Sequence, residues 1–149
     1  MSISFHFQKI SKPEFFQPSL MRHWLRSVAK KKEIRLEELN YIFVGDETLL
    51  EINREYLHHN TYTDIITFNN SETGDAIEAD IFISLERVKE NAKKFKVAFE
   101  KELARVMAHG LLHLLGLNDK TVREKKIIRA EEEDCIRLYV SVKRKIKKP

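Results

Sequence analysis

The sequence predicts an α+β fold, a small mixed four-stranded β-sheet with about five helices in one domain spanning residues 1–149. Three observations lead there. Four short stretches have strand character and five have helical spacing, and they do not alternate strictly. No repeat, low-complexity tract or Pro/Gly-rich linker interrupts the 149 residues. Hydrophobic residues make up 42% and charged residues 34%, enough for one core beneath a strongly solvated surface.

Taken in order, Ile3, Phe5 and Phe7 alternate with Ser4, His6 and Gln8, the period of a half-buried strand. A first helix is expected from about Pro18 to Lys31, since proline is tolerated in the first turn. Leu39 to Val44 reads as a second strand ending at Gly45, and Asp46 is expected to cap a helix burying Leu49, Leu50, Ile52 and Tyr56. Ile65–Phe68 and Asp80–Ser84 are β-prone runs joined by a turn-rich loop around Gly74. Leu85, Val88, Ala92 and Phe95 then recur at helical spacing, and Phe99, Leu103, Val106, Met107, Gly110 and Leu114 do so again. Thr121 with Glu124 has the form of a capping box. It opens a last helix whose apolar stripe runs through Ile128, Cys135, Leu138 or Tyr139, Val142 and Ile146.

Composition excludes several classes. No apolar run reaches the roughly 20 residues of a membrane span, so no membrane partner is expected. The N-terminal residues lack the basic start and apolar stretch of a signal peptide. One cysteine, Cys135, permits no intrachain disulfide, and the expected setting is a reducing cytoplasm, with Cys135 as a small core residue. The net charge of +4 is compatible with a polyanionic partner without compelling one. The excess is concentrated at Lys30–Lys32 and in a basic C-terminal tail of about residues 143–149.

The chemistry is concentrated in His109-Gly-Leu-Leu-His113-Leu-Leu-Gly116-Leu-Asn-Asp119. On a helix, side chains four apart share a face, so the two imidazoles can grip one ion. Gly116 stands where a left-handed residue ends the helix, and Asp119 follows at a distance that lets its carboxylate swing back as a third ligand. A bare histidine pair on an apolar helix also fits two buried structural residues. The turn glycine and the oxygen ligand at the right offset favour metal binding. This spacing resembles the metzincin zinc signature and implies a zincin-like domain. Zinc peptidases place a general-base glutamate directly after the first histidine; here that residue is Gly110, so a peptidase mechanism lacks its proton acceptor within the motif.

The same residues resemble the signature of the YbeY family of bacterial metal-dependent endoribonucleases. Ile52-Asn53-x-x-Tyr56, Thr63-Asp64-Ile65-Ile66-Thr67-Phe68 and Ala79-Asp80-Ile81 resemble further blocks of that family, in order along the chain. The resemblance implies a cytoplasmic protein that binds one zinc ion, with manganese or another divalent metal as alternatives. It also implies action on single-stranded RNA in ribosome quality control and rRNA processing, including the 3′ end of 16S rRNA. The ribosome or its small subunit is then the expected partner. Two departures stand out. Asp119 replaces the family's third histidine, preceded by Leu117-Asn118 where the family has Tyr-Asp, and Leu57 occupies the position of a family arginine. Phosphodiester cleavage needs positive charge near the reacting phosphate, for which Arg54, His58, His59 and Arg105 are the candidates. Arg105 lies one turn before His109; its alternative reading is a solvated surface arginine. Two other classes remain open: a metallopeptidase with its base elsewhere, and a non-catalytic ribosome assembly factor containing a metal.

Overall fold

A computed structural model describes residues 2–71 and 76–147. The chain runs β1 (Ser2–Phe7), α1 (Pro18–Lys31), β2 (Leu36–Val44), α2 (Asp46–Leu57), β3 (Ile65–Asn69), β4 (Ile77–Ser84), α3 (Leu85–Phe95), α4 (Phe99–Leu114) and α5 (Val122–Lys147). The four strands form one mixed sheet in the order β1-β2-β4-β3. β1, β2 and β4 are parallel neighbours, while β3 closes one edge antiparallel to β4. The α+β architecture expected from the sequence is therefore present.

Alternation along β2 sorts the two sides of the sheet. Leu39, Tyr41 and Phe43 face the main core, which also takes in Trp24 and Leu25 of α1, Val88 of α3, Met107 and Leu111 of α4, and Tyr139 of α5. Ile42 and Val44 point the other way and join Ile66, Leu49 and Ile52 beneath α2. Two buried hydrogen bonds register the helices on this scaffold. Trp24 Nε1 donates to the Cys135 carbonyl at 2.9 Å, and Tyr41 Oη donates to the Met107 carbonyl at 2.9 Å. Cys135 is buried, and that burial pushes its thiol pKa up.

Several local expectations are corrected. Asp46 is the first helical residue of α2 rather than its cap; Gly45 occupies the cap position, and the Asp46 carboxylate accepts hydrogen bonds from Ser84 and Arg87. Tyr56 is exposed, and Asn53 takes the buried place, its amide donating to the Thr61 carbonyl at 2.8 Å. Phe95 and Ile146 lie exposed at the ends of their helices, where the core no longer reaches. β2 and β4 both begin earlier than their apolar runs, because Leu36 and Glu38 pair with Ile77 and Glu78. The basic C-terminal stretch continues α5 through Lys147 rather than forming a tail; Lys148 lies outside the described residues, as does the expected loop around Gly74.

Candidate metal centre

α4 carries the centre because its apolar face is pinned to the sheet. Met107, Ala108, Gly110 and Leu111 are buried, which leaves His109 and His113 on a half-buried flank. Gly110 allows this approach: a Cβ there would lie 2.8 Å from Ile65 Cδ1 and 3.3 Å from two atoms of Ile81. The position that holds a glutamate in zinc peptidases thus lacks room as well as a side chain.

The helix ends in two reversed hydrogen bonds, Leu117 N–H to the Leu112 carbonyl at 3.2 Å and Gly116 N–H to the His113 carbonyl at 3.0 Å. Gly116 has φ +94°, the left-handed geometry that such a stop demands. A capping box then opens α5, with Glu124 N–H donating to Thr121 Oγ1 at 3.0 Å and Thr121 N–H to Glu124 Oε1 at 2.9 Å. Between these two anchored ends, Asp119 turns back onto the histidines. Its Oδ2 lies 3.5 Å from His109 Nε2 and 3.6 Å from His113 Nε2. The two imidazoles meet edge to face with centroids 4.4 Å apart. One ligand atom from each of the three residues falls within 4.8 Å of the others. A tetrahedral zinc with bonds of about 2.0–2.1 Å separates its ligand atoms by roughly 3.3–3.4 Å, so a small rotation of each side chain admits the ion. Two imidazole nitrogens and a carboxylate oxygen are also a normal zinc donor set. The residues fit a divalent metal.

Behind the histidines lies a cluster that the sequence reading did not find. His109 Nδ1 is 2.5 Å from Glu132 Oε2, and the other Glu132 oxygen accepts from Arg105 at 3.0 Å. Arg105 also grips Glu102 through two nitrogens, at 2.9 and 2.5 Å. The three side chains are 16% (Arg105), 3% (Glu102) and 2% (Glu132) exposed, so this is a largely buried ion-pair network. Burial alone raises the Glu132 carboxyl pKa, but the hydrogen bonds from His109 and Arg105 prevail and hold it below the ordinary glutamate range. Glu102 likewise holds the Arg105 guanidinium above its ordinary value. Burial pushes the carboxyl of Asp64, the residue just before β3, above the usual range, against the lowering charges of Arg105 and His109.

Of the candidates for phosphate binding, Arg105 is therefore neither solvated nor free: its nitrogens are spent on two carboxylates. Arg54 lies exposed on α2 and donates to Asn60, and His58 is the left-handed residue closing α2, with His59 beside it bonding back to the Asn53 carbonyl. Among the described residues, none of these three is hydrogen-bonded or ion-paired to His109, His113 or Asp119. Leu57 is partly exposed at the end of α2.

Comparison with known proteins bears directly on this centre. The family described as "Endoribonuclease YbeY" matches residues 3–139. A Cytophaga hutchinsonii protein of that name is 49% identical over 134 residues, covering 90% of this chain and 94% of its own. A Bacteroides fragilis protein of the same name is 43% identical over 91% of this chain and 96% of its own. A Thermotoga maritima protein solved in solution shares the fold with a TM-score of 0.62 at 24% identity, covering 99% of this chain and 94% of that one.

Proposed function

The chain belongs to the endoribonuclease YbeY family, and on that footing we propose that it is a metal-dependent endoribonuclease cutting single-stranded RNA during ribosomal RNA maturation. The observation that carries this reading is the convergence of His109 Nε2, His113 Nε2 and Asp119 Oδ2 on one point, supported by relatives that bear the endoribonuclease name. Zinc is the ion assigned to the site, with manganese or another divalent ion as the alternative. The substrate assigned is ribosomal RNA, including the 3′ end of 16S rRNA, on the ribosome or its small subunit in the cytoplasm. No helix among the described residues is long and apolar enough to cross a membrane.

A divalent ion held there by His109, His113 and Asp119 would supply Lewis acidity and lower the pKa of a bound water toward neutrality. Asp119 adds negative charge to the donor set, which tempers that acidity and favours harder ions. Gly110 offers no proton acceptor and no room for one, which removes support for the peptidase reading. Because Gly110 supplies no proton acceptor, a proton leaving the attacking water would have to pass to solvent or to a non-bridging phosphate oxygen. The basic surface of this +4 chain holds the RNA backbone, so binding should weaken as salt rises. Replacing His113 with Ala should remove both the bound metal and cleavage of single-stranded RNA; undiminished cleavage by the purified variant would sink the mechanism. A non-catalytic assembly role is favoured by one observation, Leu57 in place of the family arginine. That role predicts RNA binding without turnover, whichever divalent metal is restored after chelation.

A further inference from the structure

We propose that Glu132 is a positioning residue for the metal centre: clamped by Arg105, its carboxylate fixes His109 in the tautomer and ring orientation that turn Nε2 toward Asp119. The proposal rests on the reading of His109, His113 and Asp119 as metal ligands. An ionised carboxylate only accepts hydrogen bonds, so at 2.5 Å from Glu132 Oε2 the His109 Nδ1 must carry the proton. Nε2 is then the nitrogen with a free lone pair, and it is the atom that faces Asp119 at 3.5 Å. Arg105 bonds the opposite oxygen, Oε1, so both oxygens of Glu132 are held and the group cannot rotate away from the ring. Glu102 also pairs with Arg105, and the largely exposed Arg129 reaches Glu132 Oε1 at 3.8 Å, so Glu132 is held from several sides while its other oxygen faces the His109 ring. Negative charge accepting from a ligating imidazole raises its basicity toward a metal. Glu132 also comes from α5, whereas both histidines are on α4. The docking of one helix on another thus orients a ligand.

The test uses the full chain as wild type, Glu132→Gln and Glu132→Ala, with zinc alone as the probe. Zinc affinity is read by competition with a chelator, the His109 tautomer by long-range proton–nitrogen NMR, and folding by circular dichroism of the metal-free protein. The expected results are a proton on Nδ1 of His109 in the wild type and a zinc dissociation constant about 10–100-fold higher in Glu132→Ala. Glu132→Gln should fall between the two, because an amide oxygen still accepts but carries no charge. Folded variants that bind zinc within twofold of the wild type, with His109 resonances unmoved, would make Glu132 a mere link between helices. A proton on Nε2 in the wild type would overturn the proposal without any variant. If the wild type takes up zinc and cleaves RNA while ignoring Glu132, only this proposal fails; if it binds no zinc at the three ligands, the reading of the site falls with it.

Discussion

Replacing Arg105 with Met separates a structural cation from one that contacts substrate. Methionine retains an unbranched apolar stem and deletes the guanidinium, leaving Glu102 and Glu132, at 3% and 2% exposure, without their shared partner. Removing one side of a buried ion pair costs about 3–5 kcal/mol, because the remaining charge stays desolvated. Against a typical total of about 5–15 kcal/mol, that is a large share. At roughly 2–4 °C per kcal/mol for a chain of this size, the melting temperature should fall by about 6–20 °C. Calorimetry on metal-free protein at pH 7 measures it. The loss should also depend on pH. In the wild type the folded Glu132 carboxyl titrates below its unfolded value, so its contribution is complete above the ordinary glutamate range near 4.5 and disappears as pH falls through the folded value. The variant lacks the Arg105 part of that lowering, so the gap between the two proteins should hold from pH 7 down to the ordinary glutamate range and narrow as pH falls below it. A variant melting within about 2 °C of the wild type, yet unable to cleave RNA, would refute this account and make Arg105 a phosphate contact.

Gly116→Ala should cost about 1–2 kcal/mol in urea unfolding, since φ is +94° and no atom lies within 4 Å of the added methyl; the penalty is backbone strain alone. Gly110→Ala gains about 1 kcal/mol of helix propensity but forces Ile65 and Ile81 apart at a cost of about 1–3 kcal/mol, so a net loss in urea stability is expected. Asp119→Ala should lose the metal in elemental analysis, whereas Asp119→His, which restores the family's ligand type, should keep it; equal retention by both would remove Asp119 from the ligand set.

Much of this architecture is legible in the residues themselves. α1 and the capping box at Thr121 match their expected positions, because proline placement, apolar spacing and capping chemistry act locally. The ends of β2 and β4 were hidden, since Glu37, Glu38 and Glu78 interrupt the apolar runs and only the partner strand reveals the pairing. The burial of Asn53 was not legible in the sequence, because its partner, the Thr61 carbonyl, comes from the chain beyond the helix. Glu132 did leave a signal. It sits four residues from both Ile128 and Ile136 and seven from Tyr139, on the buried stripe of α5, where an acid is costly without a partner. Which cation and which imidazole satisfy it depends on how α4 and α5 pack, and periodicity carries no information on that.

The stop at Gly116 and the box at Thr121 moor the short span bearing Asp119 at either shore. With so little slack, the carboxylate reaches the histidines without a search, and a bound cation need organise almost no chain on arrival. The same economy makes the span intolerant of length. One residue added beside Asp119 would leave both helices and the sheet standing, while swinging the acid off its mark.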